Sequence, residues 1–500
     1  MSEVPNGVKM DSVSRKIRPS ATMMITRDGS NGVEVLLGRR AESMPAFPGY
    51  WAFPGGGLSR VDKLAVEELE QLDGPNAAAF AAIMREIVEE LGFACVDGKI
   101  IVVDDAARSL VVADKANWLP QVKQGNIPCD TSGIRHISSR TTPPFGPVLF
   151  ENTFLHIHGG SSQEVPQPSI VGQTEFVEFT WQSADQLLLK WKAHEMKIAP
   201  PVVTLMMQLK RTLAQFGGDM ESSAEEMEKR QIGRRSILFA YGVEVVPVKT
   251  ATLPPADHTN SYLIGDPEGD FVLVDPAARM REGMEDLAVA VERHNGNLLA
   301  IVFTHPHSDH LGDFDLLREA FDVPIWGSQQ TSEQIPCQRI LHDGEMLQLG
   351  EQKWQVLQTP GHHPGHICLL GDAGLVAGDM VAGIGTILIP PSEGDMDQYL
   401  QQLQRLIDLK PHLIFPSHGP VIPLPEKKLK YYLQHRAARH QRVLDAVAAG
   451  NNKLAQISIV AYQDSPDAHP LLAQDQTLSH LLSHQRDGKV VEEDHNWKIV

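Results

Sequence analysis

Residues 303–313 read FTHPHSDHLGD and place His305, His307, Asp309 and His310 within six positions. The stretch continues an apolar run, LLAIVF (298–303). A short apolar run bounded by polar residues predicts a buried strand. Chance is a poor reason for three imidazoles and a carboxylate at its end, because histidine is uncommon. A strand that ends in such a loop predicts a metal site.

Three later stretches repeat the pattern of an apolar strand ending in His or Asp. They are TPGHHPGH (359–366), LVAGD (375–379) and IFPSHG (414–419). His362, Asp379 and His418 join the first four residues in a candidate set of seven ligands. Imidazole nitrogen and carboxylate oxygen are good zinc ligands at about 2.0–2.2 Å. Seven ligands can hold two divalent ions bridged by one carboxylate and one water. Two ions lower the pKa of that water enough to make it a nucleophile near neutral pH. Zinc, iron and manganese all accept these ligands.

With HTNSYLIG (258–265) and FVLVDPAA (271–278) ahead of them, the motifs THPHSDH, TPGHHPGH, VAGD and PSHG resemble the metallo-β-lactamase superfamily over about 243–421. The resemblance implies an αββα sandwich. It implies that His305, His307 and His362 hold one metal and that Asp309, His310 and His418 hold the other. Asp379 would bridge the two, and Asp309 would also orient or deprotonate the attacking water. His366 is expected to pack or orient rather than bind, and His363 carries less weight than His362. His258 and Asn260 are expected to shape the rim or steady the first hairpin.

A second candidate site stands on the helical run AAAFAAIMREIVEELG (77–92), which Gly92 would cap. Glu86 shares one helix face with Glu89 and Glu90. Three carboxylates on one face repel each other unless solvent screens them or a cation neutralises them. Ligation by oxygen alone suits Mg²⁺ or Mn²⁺, with a phosphate substrate supplying further ligands. For the helix alone, a solvated acidic face is the plainer explanation.

With FPGGG (53–57) upstream, REIVEELGF (85–93) resembles a Nudix box. LLGRRAESMPAFPGYWAFPGGG (36–57) and APPVVTLMMQL (199–209) resemble the Nudix branch that contains coenzyme A diphosphatases. The resemblance implies an α/β/α sandwich in which Glu86, Glu89 and Glu90 bind metal, Glu89 and Glu90 serve catalysis, and Arg85 orients a carboxylate. The box departs from the family in its first half, where LSRVDKLAVEELEQ (58–71) contains an insertion. The family's first glutamate would fall near Ala77, where no acid stands. Glu67, Glu68 and Glu70 are the acids in the insertion available to replace it. Glu175 and Glu178 are candidates for an extra ligand or a general base. Arg39 and Arg40 are candidates for binding a substrate phosphate, with a strand-end salt bridge as the equal alternative.

The chain has 500 residues, too many for one core. Its 44 Lys and Arg against 63 Asp and Glu give a net charge of -19, so bulk charge will not bind a polyanion. Cys95, Cys129, Cys337 and Cys368 form no CxxC pair, which argues against a zinc ribbon or a disulfide scaffold. A reducing, cytoplasmic setting is expected, with no apolar leader and no run of membrane-spanning length.

These signals predict an α/β multidomain chain. The expected parts are a flexible tail (1–17), a Nudix domain (18–216), a linker (217–236) for which a surface helix is the near-equal alternative, a metallo-β-lactamase-fold domain (237–425) and a winged-helix-like domain (426–500). In the last part, Arg436, Arg439 and Arg442 are spaced to share one basic face of YYLQHRAARHQRVLDAVAAG (431–450). This end resembles the extra domain of a metallo-β-lactamase branch that includes ribonuclease-like hydrolases. Acids and bases nearly balance there, so a lid or interface is favoured over nucleic-acid binding.

The expected function is a two-site hydrolase of small molecules. One site, with two zinc ions (or iron or manganese), would cleave an ester, thioester or phosphodiester. The other, with Mg²⁺ or Mn²⁺, would cleave a nucleoside-diphosphate-linked compound such as a coenzyme A derivative. The alternatives are an endoribonuclease at the histidine site, and a degenerate Nudix sensor that regulates it.

Overall fold

The computed structural model describes residues 16–144, 148–172, 175–229 and 236–500. The expected tail lies almost wholly outside them, and Ile17 already opens a strand. Among the described residues the chain divides into two compact units. One comprises 16–229 with 238–241, the other 236–237 with 242–500.

In the first unit, Ile17–Gly29 is the central strand. It runs parallel to Leu149–Ser161 and antiparallel to Gly32–Arg40, which pairs in turn with Phe176–Ser183. Its middle, with Met23, Met24 and Ile25, is buried, as a strand covered on both faces requires. Helix Ala77–Leu91 packs Ile83, Ile87, Val88 and Leu91 into this core and ends at Gly92, whose φ of 75° is the left-handed cap foreseen in the sequence. Gly55–Gly57 pairs with Ser20–Thr22. A Cβ on Gly55 would stand 2.3 Å from the Ala21 carbonyl oxygen, so glycine is what lets this loop close on the strand. The linker candidate contains the helix Met220–Lys229, which buries Met220, Ser223, Ala224 and Met227 at helical spacing. The surface-helix alternative accounts for that part.

The second unit holds two sheets. The first contains Val243–Lys249, His258–Gly265, Asp270–Val274, Asn297–Val302, Ile325–Gly327 and Arg339–Ile340, in that order. Helices Arg281–Glu292 and Phe314–Ala320 pack Leu287, Ala290 and Leu317 onto it. The second contains Met346–Leu349, Gln352–Gln358, Ile367–Gly371, Gly374–Gly378 and Ile414–Pro416. Helix Met396–Leu409 covers it with Tyr399, Leu403 and Leu406. Tyr262 joins the two sheets, donating to the Pro416 carbonyl at 2.6 Å and meeting the Phe415 ring edge-on. The loops that carry His305, His362, Asp379 and His418 leave the ends of four of these strands, so rigid strands aim the loops at one point.

Helices Pro425–Ala448, Leu454–Ala461 and Pro470–Arg486 follow, then a hairpin of Val490–Glu493 and Asn496–Ile499. They share a small core of Val443, Val447, Ile457, Leu481 and Trp497. The first helix also sends Leu429 and Tyr432 into the core beneath the second sheet. The expected basic face is not there. Arg436 and Arg439 are buried and donate to the carbonyls of Ile387 and Ala461 respectively. Arg439 also meets Asp464 at 2.8 Å, and the half-exposed Arg442 meets the same carboxylate at 2.6 Å. Spacing put the three on one side of a helix, but two of them point into protein and only Arg442 stays exposed.

The four cysteines are unpaired. Burial pushes the thiols of Cys95, Cys129 and Cys368 up to about 12 and raises that of the half-buried Cys337. No described helix is long and apolar enough to cross a membrane.

Candidate metal centre and acidic cluster

The structure brings all seven candidate ligands of the second unit together. His305 Nε2, His307 Nδ1 and His362 Nε2 stand 2.9, 3.0 and 3.3 Å from one another. Ligands about 2.0–2.1 Å from one tetrahedral ion would stand about 3.3 Å apart. Asp309, His310 and His418 form a second group, with ligand atoms all within 4.8 Å of one another. Asp379 lies between the groups. Its Oδ1 is 3.6 Å from His310 Nε2 and 3.4 Å from His418 Nε2, and its Oδ2 is 3.7 Å from His362 Nε2.

Each ring is turned by a partner on its other nitrogen. His362 Nδ1 donates to the Leu388 carbonyl at 2.7 Å, and His418 Nδ1 to the His258 carbonyl at 3.1 Å. His307 Nε2 donates to Glu393 at 2.8 Å. His310 Nδ1 donates to Asp275 Oδ2 at 2.9 Å. Asp275 also accepts from the Thr304 amide and hydroxyl, and that hydroxyl lies 3.0 Å from His305 Nδ1. These partners leave the facing nitrogens as lone-pair donors, the usual way a metal-binding imidazole is oriented.

Asp275 and Glu393 are functional residues that the sequence expectations do not include. Asp275 directly follows the strand Asp270–Val274, the same apolar run ending in an acid that pointed to Asp379, so that signal could have found it. Glu393 lies 86 positions from the ring it orients. His366 fills the orienting role expected of it, accepting from the Asp379 amide at 2.9 Å. Gly378 makes this possible, since a Cβ there would lie 2.4 Å from His366 Nε2. His363 turns inward on its own loop and accepts from the Gly365 amide. Asn260 donates to the carbonyls of Pro416 and Gly419, which ties the first hairpin to the His418 loop.

The electrostatics ask for cations. Both carboxylate oxygens of Asp309, Oδ1 of Asp379 and Nε2 of His310 are buried without a hydrogen-bond partner. Buried polar atoms are rarely left that way without an ion or water to meet them. Burial opposes a charged His310, yet Asp379, Asp275 and Asp309 raise its pKa well above the usual value. Burial likewise opposes a charged His418, but Asp379 and Asp309 lift it to about 9. Burial and its cationic neighbours hold His305 well below the usual value, hence neutral. A buried donor set of nitrogens and carboxylate oxygens, several of them without a hydrogen-bond partner, fits two divalent ions. Their binding would displace protons from His310 and His418.

The acidic helix of the first unit forms a second cluster. Arg85 is buried and donates from Nε and Nη2 to the two oxygens of Asp62, at 2.8 and 3.0 Å. Its Nη1 reaches Glu86 and Glu89, each at 2.9 Å. Glu90 accepts from the Gly55 amide at 2.9 Å, and its other oxygen is buried without a partner. Burial, opposed by Arg85 and reinforced by Glu89, raises Glu86 to about 7. Burial, then Glu86 and Glu175, raises Glu90 well above the carboxylate range. Burial also raises Glu89. The solvated-face explanation does not hold for this helix, because its acids are drawn inward.

Two sequence expectations are corrected here, and for Arg39 and Arg40 the salt-bridge alternative is the one seen. The acid that grips Arg85 is Asp62, inside the stretch 58–71 that contains the insertion and not near Ala77. Glu67, Glu68 and Glu70 are exposed, and Glu68 pairs with Lys123 instead. Arg39 and Arg40 are engaged across strands with Glu178 and Glu175, at 3.0 and 3.1 Å. Glu178 is thereby turned outward, while Glu175 stays close enough to raise Glu86 and Glu90.

A family model described as "Metallo-beta-lactamase superfamily" matches residues 254–336 and 338–418. A hydroxyacylglutathione hydrolase of Bdellovibrio bacteriovorus is 32% identical over 171 residues, which span 32% of this chain and 67% of that protein. The chain belongs to the metallo-beta-lactamase superfamily. Within that superfamily it is a metal-dependent hydrolase, and the matched segments contain all seven clustered residues. A "Beta-lactamase-like protein 2 homolog" of Drosophila melanogaster is 27% identical over 248 residues, covering 46% of this chain and 84% of that one. A NUDIX hydrolase of known structure from Alicyclobacillus acidocaldarius covers 39% of this chain and 92% of its own at 24% identity. Its TM-score of 0.35 is too low to carry a fold.

Proposed function

We propose that the chain is a two-site hydrolase whose metal centre cleaves a thioester and whose acidic cluster is a Nudix site. In this reading 18–216 is a Nudix α/β/α domain, 237–425 the αββα domain and 426–500 a winged-helix-like end. The observation that carries the first half is the buried set of three imidazole nitrogens and unpartnered carboxylate oxygens around Asp309 and Asp379. Two bound divalent ions, zinc in the first instance, supply Lewis acidity to water and to the substrate carbonyl. The protein's part is to orient. Asp309 faces His418 at 3.5 Å and is placed to hold or take a proton from the attacking water. An acyl-glutathione is a thioester, and similarity to a hydroxyacylglutathione hydrolase supports that bond class here.

The second half rests on Arg85, Asp62 and the three raised glutamates. Glu86, Glu89 and Glu90 would hold Mg²⁺ or Mn²⁺, and the ions would draw in a substrate pyrophosphate. Glu89 and Glu90 are the candidates for activating water. The degenerate-sensor alternative starts from the lack of an acid near Ala77, and the grip of Asp62 on Arg85 supports the catalytic reading over it. Acyl-coenzyme A carries both a thioester and a pyrophosphate, so one compound can serve both sites.

The test is mass spectrometry of products from an acyl-coenzyme A panel incubated with metallated protein. Free coenzyme A is the expected product of the metal centre, and a phosphopantetheine of the acidic cluster. Glu89→Gln should cut the phosphopantetheine yield at least about a hundred-fold and spare the thioesterase activity. Intact acyl-coenzyme A after prolonged incubation would overturn the shared-substrate reading. Cleavage of single-stranded RNA that disappears in Asp309→Ala would put the endoribonuclease in its place.

A further inference from the structure

We infer that the helix Pro470–Arg486 is a positioning element for one of the two metal sites, acting through the segment 387–397. The inference rests on the metal-centre reading above.

Segment 387–397 carries two acceptors that aim ligands. The Leu388 carbonyl takes the Nδ1 proton of His362, and Glu393 takes the Nε2 proton of His307. Both rings belong to the triad of His305, His307 and His362. From Pro390 to Asp395 the chain has no strand or helix of its own to hold it. A loop of that kind keeps a fixed place only if other groups anchor it.

The anchors come from the C-terminal helices. The Ile389 carbonyl accepts from Gln476 Nε2 at 2.9 Å and from Ser479 Oγ at 2.7 Å. Arg436 donates to the Ile387 carbonyl and, at 2.5 Å, to Gln476. Leu388 is therefore held on both sides. At the other end, Arg486 donates to Asp395 at 3.1 Å and to Asp397 at 2.7 Å, and Ser483 donates to Asp397. The Asp395 amide in turn donates to the carbonyl of Gly361, next to His362. Gln476, Ser479, Ser483 and Arg486 lie on one helix and grip the segment at both ends.

Among the described residues, the two imidazoles of the second triad show no such dependence. His310 is oriented by Asp275 and His418 by the His258 carbonyl, both on the far side from this helix in sequence and bonded elsewhere. Loosening the helix should disturb one ion and leave the other alone. General destabilisation would not be selective.

The experiment uses the full chain loaded with Co²⁺, whose visible bands report ligand geometry, and follows release of each ion to a chelator. Arg486→Gln combined with Ser479→Ala is the test variant. Glu393→Gln, which acts on His307 directly, identifies the band of the first triad. The expected result is that the same band shifts in the test variant and its ion binds about ten-fold more weakly. The other ion, the far-UV circular dichroism and the unfolding midpoint should match the parent. Parent-like retention of both ions would overturn the inference. So would equal weakening of both with a lowered midpoint. A parent chain that binds no Co²⁺ would sink the metal-centre reading itself.

Discussion

An Asp379→Ala variant should lose hydrolysis at the metal centre by about a thousand-fold and retain fewer than two ions per chain. The reason is position. Asp379 is buried and has an oxygen within 3.7 Å of His362, His310 and His418, so it faces both triads. Removing it leaves His310 and His418 without the carboxylate that does most to favour their positive charge. The expected loss lies in the range contributed by positioned charge-stabilising and acid–base groups. Asp379→Asn keeps the shape but not the charge, and should fall between the two. Metal content by mass spectrometry and a thioester assay together decide it. A variant that keeps both ions and full activity would show that Asp379 is not the shared ligand. Gross unfolding is not expected, because the Asp379 amide stays anchored to His366.

An Asp62→Ala variant should destabilise the first unit by about 3 kcal/mol, the lower end for breaking a buried ion pair. Asp62 has no exposed surface, and Arg85 gives it two donors at once. Without it, the guanidinium stays buried with only Glu86 and Glu89 as counter-charges, and those two are the proposed metal ligands. Activity at the acidic cluster should therefore fall together with stability. Denaturant unfolding of the whole chain, compared with Asp62→Asn, measures the first effect. A shift below about 1 kcal/mol would mean that Glu86 and Glu89 already satisfy Arg85.

The metal centre was legible because its ligands directly follow strands. An apolar run followed by His or Asp is a local pattern, and four such runs could be read without knowing how they meet. The groups that aim those ligands were not legible. Asp275 follows its strand just as Asp379 does, so the pattern that finds a ligand does not tell it from an orienting acid, and Glu393 carries no local signal at all. Asp62 was overlooked for a different cause. Family spacing back from Arg85 crosses the inserted segment, while the pair forms through space over 23 positions. The C-terminal arginines show the reverse error. Their periodicity was real, but period alone does not say whether a helix face meets water or protein.

The thiols offer a way to watch each unit separately. A thiol reacts as its thiolate, and only where a reagent can reach it. In the native chain, Cys337 should therefore take a maleimide first. Cys95 and Cys129 belong to the first unit and Cys368 to the second, all three buried. Each can be labelled only as often as its own surroundings open. Peptide mapping of alkylated chains over time would thus give two independent clocks, one for the opening of the core that the acidic helix shares with Cys95 and Cys129 and one for the strand that follows His366.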